Sequence, residues 1–287
     1  MAVVVITGTS TGIGFATAIT LARDGHTVFA GMRNLDKGGE LREAIAKEKL
    51  PITIVILDVD SDISVNEAFS QILKEKGHID VLVNNAGIGA RGYIEEAPIA
   101  VFRQVMETNF FGGLRCTKAV VPSMRERRSG CIINITSVAG QFGLPPQGAY
   151  AASKWAFEGL SECLAQELSP FNVRVAIVEP GVIATPLTTT PRPAPPPSPY
   201  SMHGRRIGAL FAASLSKPTS PFEVAKIIQD IVEGKSTRLR NPAGSDGAPL
   251  IKWRKSKTDE EWVGLGAATD AEWAADVKKN LGLDIKL

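Results

Sequence analysis

The chain has 287 residues, of which 44% are hydrophobic and 22% charged, and its formal net charge is +2. A charge this small argues against a nucleic-acid partner, and the composition is that of an ordinary globular protein. No apolar run reaches the roughly 18 residues that a membrane-spanning helix needs, and no His, Cys and Asp residues cluster at metal-ligand spacing. We therefore expect no integral membrane segment and no metal site.

The cysteines and the first residues bear on the cellular compartment. Cys116, Cys131 and Cys163 have no paired spacing, so we interpret them as small hydrophobic residues in a reducing environment. The apolar segment 1–6 has no basic stretch before it and leads directly into glycine-rich sequence, which indicates a strand rather than a signal peptide. The expected location is cytoplasmic.

Short β-branched segments alternate with longer segments of helical periodicity. Helices are expected near 13–24, 62–76, 99–126, 150–168 and 221–233. Strands are expected at Val3–Ile6, Thr27–Ala30, Thr53–Leu57, Val81–Val83, Cys131–Ile135, Arg174–Val178 and Thr237–Arg240. The alternation, with strands that are apolar throughout, predicts an α/β single domain: a doubly wound, parallel, seven-stranded Rossmann-type sheet with helices on both faces.

A proline-rich segment follows the sixth predicted strand. Residues 186–199 contain seven prolines, which argues against a regular helix or an inner strand there. The segment is either a surface linker or a mobile flap over a site, and its place after a strand end favours the flap, which we assign to residues 186–220.

The tail contains a short internal repeat, TDEEW at 258–262 and TDAEW at 269–273. In each copy a threonine precedes a glutamate by three residues, which is typical of a helix capping box. Two short helices packed by their tryptophans are therefore expected.

Glycines mark the turn between the first predicted strand and the first predicted helix. The spacing G-x-x-x-G-x-G lets the backbone turn tightly and approach a pyrophosphate at a helix N-terminus. A plain strand–helix turn also explains many such matches, but the βαβ setting favours a dinucleotide site. Contacts to the cofactor are expected from Gly8, Ser10, Thr11, Gly12, Ile13 and Gly14.

The end of the second predicted strand selects the cofactor. NAD enzymes usually have an acid there, whereas this chain has Gly31-Met32-Arg33-Asn34. Arg33 is either a surface cation or the bidentate partner of a 2′-phosphate. We favour the second interpretation and predict NADP(H) in preference to NAD(H).

Polar and small residues after the next two predicted strands are expected to hold the adenosine. Asp58 and Val59 are assigned to the adenine. Asn85, Ala86 and Gly87 are assigned to the ribose, although Asn-Ala-Gly is equally a turn sequence.

A phenol and an amine lie four residues apart at Tyr150 and Lys154, hence on one helix face. The ammonium and a positively charged nicotinamide are expected to lower the pKa of Tyr150 toward 7, so that it exchanges a proton with the substrate. Ser137 is expected to hydrogen-bond the substrate oxygen, and Lys154 also the nicotinamide ribose. Alone, Tyr-x-x-x-Lys is better explained as a pair of surface residues. Here it occurs together with Ser137, the glycine turn and Asn85, all at strand ends, and this combination favours a catalytic site.

In this combination of motifs, residues 2–241 resemble the short-chain dehydrogenase/reductase family in its single-domain form. The resemblance implies a tetrad of Asn109, Ser137, Tyr150 and Lys154, in which Asn109 bends a helix and holds a water near Lys154. From the sequence alone, Asn109 is equally interpretable as a buried turn-stabilising amide. The resemblance further implies cofactor contacts from Tyr150, Lys154, Pro180, Gly181, Ile183 and Thr185.

Three further stretches, VFAGMR at 28–33, GLP at 143–145 and FEGLSE at 157–162, resemble the group that contains 17β-hydroxysteroid dehydrogenase type 1 and photoreceptor-type retinol dehydrogenase. The expected organisation is a dinucleotide-binding and catalytic domain over 1–241 and a C-terminal extension over 242–287. By resemblance, a homodimer or homotetramer is expected through the helices near 99–126 and 150–168.

The predicted function is that of an NADP(H)-dependent oxidoreductase that interconverts a secondary alcohol and a carbonyl, reducing a lipophilic ketone or aldehyde. Two alternatives are a dinucleotide-binding sensor, which usually lacks the Tyr or the Lys, and an epimerase or dehydratase, which typically has another glycine spacing and a larger C-terminal domain. The substrate is expected to contact Gly89, Tyr93, Gly143, Leu144 and Leu187.

Overall fold

A parallel sheet forms the centre of the protein, whose computed structural model describes residues 1–191 and 196–287. Within these ranges the strands are β1 (Val3–Thr7), β2 (Thr27–Met32), β3 (Ile52–Ile56), β4 (Val81–Asn84), β5 (Gly130–Ile135), β6 (Val173–Pro180) and β7 (Arg240–Ala243). All pair in parallel in the order β3-β2-β1-β4-β5-β6-β7. The predicted single-domain α/β sheet is thereby confirmed.

Helices connect the strands and cover both faces of the sheet. They are α1 (Gly12–Arg23), α2 (Gly39–Glu48), α3 (Asp62–Lys76), α4 (Ile99–Met106), α5 (Gly112–Arg127), α6 (Gly148–Leu168), α7 (Pro186–Thr189), α8 (Ser201–Leu215), α9 (Pro221–Val232), α10 (Gly247–Lys255), α11 (Asp259–Gly264) and α12 (Asp270–Leu281). Short 3₁₀ turns lie at Leu35–Gly38, Val138–Gly140 and Ser169–Phe171.

Burial explains why the strands are apolar along their whole length. One face of the sheet packs against α1, α2 and α9 through a single continuous apolar cluster. The other face packs against α3, α5 and α6. Because side chains on both faces are removed from water, the strands lack the alternation of half-exposed sheets.

The connections create a crevice at the carboxyl ends of the strands. From β1 the chain proceeds outward to β2 and β3, then returns to β4 on the other side of β1. At such a reversal of strand order the connecting loops diverge, and ligands of open α/β sheets bind between them.

Several element boundaries differ from those expected. The helix expected near 99–126 is interrupted by a π-helical turn at Glu107–Phe111. The seventh strand lies at Arg240–Ala243, not at Thr237–Arg240, so the proposed boundary between residues 241 and 242 falls within a strand and the domain division stays a prediction. Helix α2 was not expected, and it buries only Leu41.

The proline-rich segment contains more helix than expected. Helix α7 begins at Pro186, because proline is compatible with a first helical turn and Thr185 and Thr188 form a capping box around it. Helix α8, within the region assigned to the flap, was also missed. Residues 192–195 of the proposed flap lie outside the described residues.

The C-terminal extension packs closely on the rest of the protein. Thr258 with Glu261, and Thr269 with Glu272, form the two predicted capping boxes. Trp253 and Trp273 are buried in an apolar cluster that also contains Val138, near the end of β5. The extension therefore supports the loop that follows β5.

The described part of the chain contains no helix that combines the length and the apolar character needed to cross a bilayer. Within the same ranges, no group of three His, Cys, Asp or Glu side chains is arranged to hold a metal ion.

Candidate active site

A cavity of about 310 Å³ opens at the carboxyl ends of β1, β2, β4, β5 and β6. The predicted cofactor residues that line it are Gly8, Ser10, Thr11, Gly12, Ile13, Arg33, Asp58, Val59, Asn85, Ala86, Gly87, Tyr150, Lys154, Pro180, Gly181, Ile183 and Thr185. Residues from separate loops are thus brought to one site by the parallel sheet.

The glycine turn after β1 is shaped to approach a phosphate. Gly8 and Gly12 have φ values of +70° and +62°, which side-chain-bearing residues rarely adopt. A Cβ on Gly8 would lie 2.8 Å from the Cα of Ala86. In the described chain the Thr11 side chain does not cap α1, and the first turn contains no acid, so its backbone N–H groups fit a pyrophosphate.

Gly14 does not line the cavity but allows α1 to pack against the sheet. A Cβ there would lie 2.3 Å from the carbonyl oxygen of Gly8 and 2.4 Å from Nδ2 of Asn85. Asn85 Nδ2 donates to the carbonyl oxygens of Thr7 and Gly8, at 2.8 and 3.0 Å. Gly14 and Asn85 therefore fix the shape of the glycine turn.

Two cations lie at the end of the cavity that follows β2. Arg33 and Lys37 are both exposed and both line it, together with Asn34. Oδ1 of Asn34 accepts a hydrogen bond of 2.8 Å from the backbone N–H of Asp36, which turns the chain so that Lys37 returns to the cavity. Lys37 was not predicted to contact the cofactor, although the sequence shows a second cation four residues after Arg33.

Three polar side chains meet at the other end of the cavity. Ser137 follows β5, and its Oγ accepts from the N–H of Ala139 at 3.1 Å and donates to the carbonyl of Pro180 at 3.3 Å. Tyr150 and Lys154 lie on adjacent turns of α6, with Nζ 5.7 Å from the centre of the phenol ring. Nζ donates to the carbonyl of Ile135 at 2.9 Å, which holds the amine below the ring.

Burial is the largest influence on the pKa values of Tyr150 and Lys154. Burial raises the pKa of Tyr150, whereas the hydrogen bond with Ser137 lowers it by a smaller amount. Burial lowers the pKa of Lys154 to about 8, against the attraction of Glu158. A lowered phenol pKa was expected from the ammonium together with a bound nicotinamide, and this stays a prediction; in the polypeptide by itself, desolvation is the largest effect and raises the pKa.

Asn109 lies in the π-helical turn, behind the cavity. Its Nδ2 donates to the Ile88 carbonyl and to Ser153 Oγ, both at 3.0 Å, and its Oδ1 accepts from the Ile88 N–H at 2.8 Å. The interpretation as a tetrad residue and the interpretation as a turn-stabilising amide both required Asn109 to be buried at a bend. Its hydrogen bonds join the loop after β4 to α6. Its proposed role in holding a water stays a prediction.

A smaller pocket of about 100 Å³ adjoins the cavity and shares Ser137, Tyr150, Gly181, Leu187 and Thr188 with it. Of the five predicted substrate residues, Gly89, Leu144 and Leu187 line this pocket. Its remaining apolar lining comes from Ala90, Val138, Ala139, Phe142, Val182, Leu210, Phe211 and Leu250. We call it the carbonyl pocket.

Tyr93 and Gly143, predicted to contact the substrate, do not line the carbonyl pocket. The Tyr93 hydroxyl accepts from the N–H of Gly204 at 3.2 Å and its ring packs on Tyr200, so it positions α8. The Gly143 carbonyl accepts from Nε1 of Trp262 at 3.2 Å. Leu210, Phe211 and Leu250 were missed because α8 and α10 were not predicted.

A family model described as short chain dehydrogenase matches residues 2–195.

The chain belongs to the short-chain dehydrogenase/reductase family.

Members of this family are oxidoreductases that use a nicotinamide dinucleotide. The chain is 44% identical over 186 residues to 3-ketodihydrosphingosine reductase of Bacteroides thetaiotaomicron, a match that covers 65% of each protein. It is 38% identical over 262 residues to retinol dehydrogenase 8 of Bos taurus, covering 86% of this chain and 83% of the relative. The second match is consistent with the resemblance to the retinol dehydrogenase group.

Two solved dehydrogenase structures have the same fold. A short-chain dehydrogenase from Streptomyces avermitilis matches with a TM-score of 0.79 and 32% identity, covering 93% of this chain and 98% of that one. An alcohol dehydrogenase from Thermococcus sibiricus, complexed with 5-hydroxy-NADP, matches with a TM-score of 0.69 and 27% identity, covering 84% and 95%.

In this short-chain dehydrogenase, residues of the C-terminal extension support the loop after β6. The carboxylate of Asp246 accepts from the N–H of Val182 at 3.1 and 3.2 Å, and the N–H of Gly181 donates to the Ala243 carbonyl at 2.9 Å. A Cβ on Gly181 would lie 2.0 Å from Asp246 Oδ1. Asp246 thus positions the cavity wall between Pro180 and Thr185, a role that the sequence did not suggest.

Proposed function

We propose that the protein is an NADP(H)-dependent oxidoreductase that interconverts a secondary alcohol and a carbonyl, working as a reductase on a lipophilic ketone or aldehyde. The observation that carries the proposal is that Ser137 and Tyr150 stand where the large cavity meets the carbonyl pocket. A carbonyl group at that junction faces a hydroxyl, a phenol and the cofactor site together.

Each polar side chain then has a role that follows from its contacts. The large cavity would hold the nicotinamide dinucleotide, which would supply hydride to the carbonyl carbon. Ser137 donates a hydrogen bond to the carbonyl oxygen, and Tyr150 donates the proton that converts this oxygen into a hydroxyl. Lys154, whose pKa of about 8 leaves it mostly protonated at pH 7, stabilises the phenolate that remains.

The preference for NADP(H) is supported by Arg33 and Lys37. Both cations line the cavity at the end of β2, where a 2′-phosphate would lie, and in the described residues neither forms an ion pair with a carboxylate. Arginine suits phosphate because its planar guanidinium donates two parallel hydrogen bonds. The complex of the Thermococcus relative with 5-hydroxy-NADP is consistent with this preference.

A lipophilic substrate is supported by the apolar lining of the carbonyl pocket. Phe142, Leu144, Leu210, Phe211 and Leu250 all face it. The names of two relatives, a retinol dehydrogenase and a 3-ketodihydrosphingosine reductase, refer to lipophilic compounds.

A cytoplasmic location and a homodimer or homotetramer remain part of the proposal. Assembly through the helical segments near 99–126 and 150–168 is supported by Phe111 and Trp155, which are 43% and 53% exposed. Large apolar side chains at such positions are suited to contact with another subunit.

The test is consumption of NADPH, followed by absorbance, with a panel of ketones and aldehydes, for the wild type and Tyr150→Phe. We expect turnover by the wild type and a loss of at least about 100-fold in kcat for the variant, because general acid–base catalysis contributes about 10²–10⁴-fold. The dissociation constant for NADPH should change little. Retained turnover in the variant would contradict the role of Tyr150, and tight NADPH binding without turnover on any carbonyl would favour the sensor alternative.

A further inference from the structure

A second apolar cavity lies beyond the carbonyl pocket. It has a volume of about 270 Å³, and its apolar lining comes from Leu144, Ile207, Trp262, Val263, Leu265 and Trp273. We call it the distal chamber. It is built between the loop after β5, helix α8 and the C-terminal extension.

Leu144 lies between the two spaces, because it lines both the carbonyl pocket and the distal chamber. Helix α8 also lines both: Ile207 faces the chamber, and Leu210 and Phe211, one turn later, face the carbonyl pocket. The chamber therefore adjoins the carbonyl pocket along the same helix, on the side away from Tyr150.

Arg206 and Trp262, two residues with polar groups that line the chamber, use those groups in contacts within the protein. Arg206 is 2% exposed, and its guanidinium pairs with Asp270 at 2.8 Å and donates to the carbonyls of Leu265 and Ala268. Trp262 Nε1 donates to the Gly143 carbonyl. A ligand in the chamber meets a mostly apolar surface.

His203, which also lines the chamber, adds no charge at neutral pH. Burial lowers its pKa, and the nearby Arg206 guanidinium acts in the same direction. An uncharged imidazole tolerates an apolar neighbour, whereas an imidazolium would have to be desolvated.

The sizes of the two spaces complement each other. Small-molecule sites usually enclose about 300–1,000 Å³. The carbonyl pocket, at about 100 Å³, holds the reacting group and little more, whereas the chamber has room for the rest of a chain.

We propose that the distal chamber binds the hydrocarbon chain of the substrate, so that the protein acts on carbonyl compounds with a long apolar chain that passes Leu144. This inference rests on the proposed function. Each methylene buried in the chamber should raise kcat/KM about fourfold, from the transfer free energy of a CH₂ group.

The test compares butan-2-one with dodecan-2-one as substrates. For the wild type, kcat/KM should be about 100-fold higher for dodecan-2-one, as expected when only some of the added methylenes are buried. Leu144→Trp, which places a larger side chain between the two spaces, should reduce this ratio to below about tenfold. Leu144→Met, which conserves volume, is the matched control and should keep it.

A second pair of variants, at exposed positions where a substitution should not disturb folding, tests the same proposal. Val263, at the chamber rim, is 75% exposed, and Ile63, on the remote helix α3, is 71% exposed. Val263→Asp places a charge beside the chain and should lower the ratio at least threefold, whereas Ile63→Asp should leave it unchanged. Equal effects of the two variants, or a wild-type ratio near one, would overturn the proposal.

Binding of dodecan-2-one followed by tryptophan fluorescence separates this inference from the proposed function. Trp262 and Trp273 line the chamber and report its occupation directly. Chain-length-dependent quenching that Val263→Asp weakens, without turnover of any carbonyl, would support the chamber and contradict the oxidoreductase. Turnover of both ketones at similar kcat/KM, without quenching, would support the oxidoreductase and contradict the chamber.

Discussion

At the scale of single residues, the site depends on side chains whose properties differ from those of the free amino acids. Lys154 is buried, and this burial lowers its pKa to about 8, while burial raises the pKa of Tyr150. The spacing of the two residues was enough to predict that they meet. The direction of the phenol pKa was not predictable, because it depends on how much protein surrounds the ring.

Arg33 provides the residue-scale prediction. Arg33→Asp should lower the ratio of kcat/KM with NADPH to that with NADH by about 10- to 100-fold, since a charge-assisted hydrogen bond contributes roughly 1.5–3 kcal/mol. Steady-state kinetics with both cofactors measure the ratio. Arg103→Asp, the same change at an exposed position on α4 outside the cavity, should leave it unaltered. A ratio that stays constant in Arg33→Asp would assign phosphate recognition to other residues.

At the scale of elements, three of them meet at a buried group of carboxylates behind Ser137. Glu158 of α6 and Glu179 of β6 are 4% and 1% exposed, and Arg240 of β7 reaches both, at 2.9 and 3.7 Å. Thr136, next to Ser137, donates to Glu158 at 2.6 Å. The end of β5 is therefore held by the side chains of neighbouring elements.

Glu179 should make stability depend on pH. Burial, and then repulsion by Glu158, raise its pKa from 4.5 to about 7, against the attraction of Arg240 and Lys255. A raised acid pKa means that the folded state favours the proton, so the stability that this group contributes is present below pH 4.5 and lost as the pH rises through 7.

Glu179→Gln removes the charge and should stabilise the protein more at pH 8 than at pH 5, by about 1–2 kcal/mol. Urea unfolding at the two pH values measures the difference. Glu162→Gln removes a carboxylate that pairs with the same Arg240 but is half exposed, and should show no such gain. A loss of stability in Glu179→Gln at pH 8 would mean that its ion pair outweighs the cost of burial.

At the scale of the whole molecule, the C-terminal extension completes the active-site region. The extension supplies Leu250 to the carbonyl pocket and Asp246 to the loop after β6, and it buries Trp253 against the loop after β5. Removal of water from this large aromatic surface contributes several kcal/mol. We therefore expect the extension to be required for the stability of the whole fold.

Trp253→Ala should lower the free energy of unfolding by about 3–5 kcal/mol, because it leaves a cavity in the buried cluster. Circular dichroism during urea unfolding measures this loss. Ile63→Ala truncates an apolar side chain that is 71% exposed and should alter the free energy by less than about 0.5 kcal/mol. Equal losses in the two variants would show that the extension is not part of the cooperative core.

The amino-acid sequence by itself determined the sheet, the glycine turn and the pairing of Tyr150 with Lys154. These features depend on residues close together in the chain, where periodicity, glycine φ values and helical spacing act directly. It could not reveal α8, the Asp246 contact or the lining from Leu250, since each depends on what packs against it from a distant part of the chain. The shape of the substrate site was decided only when the C-terminal helices folded onto the loops that follow β5 and β6.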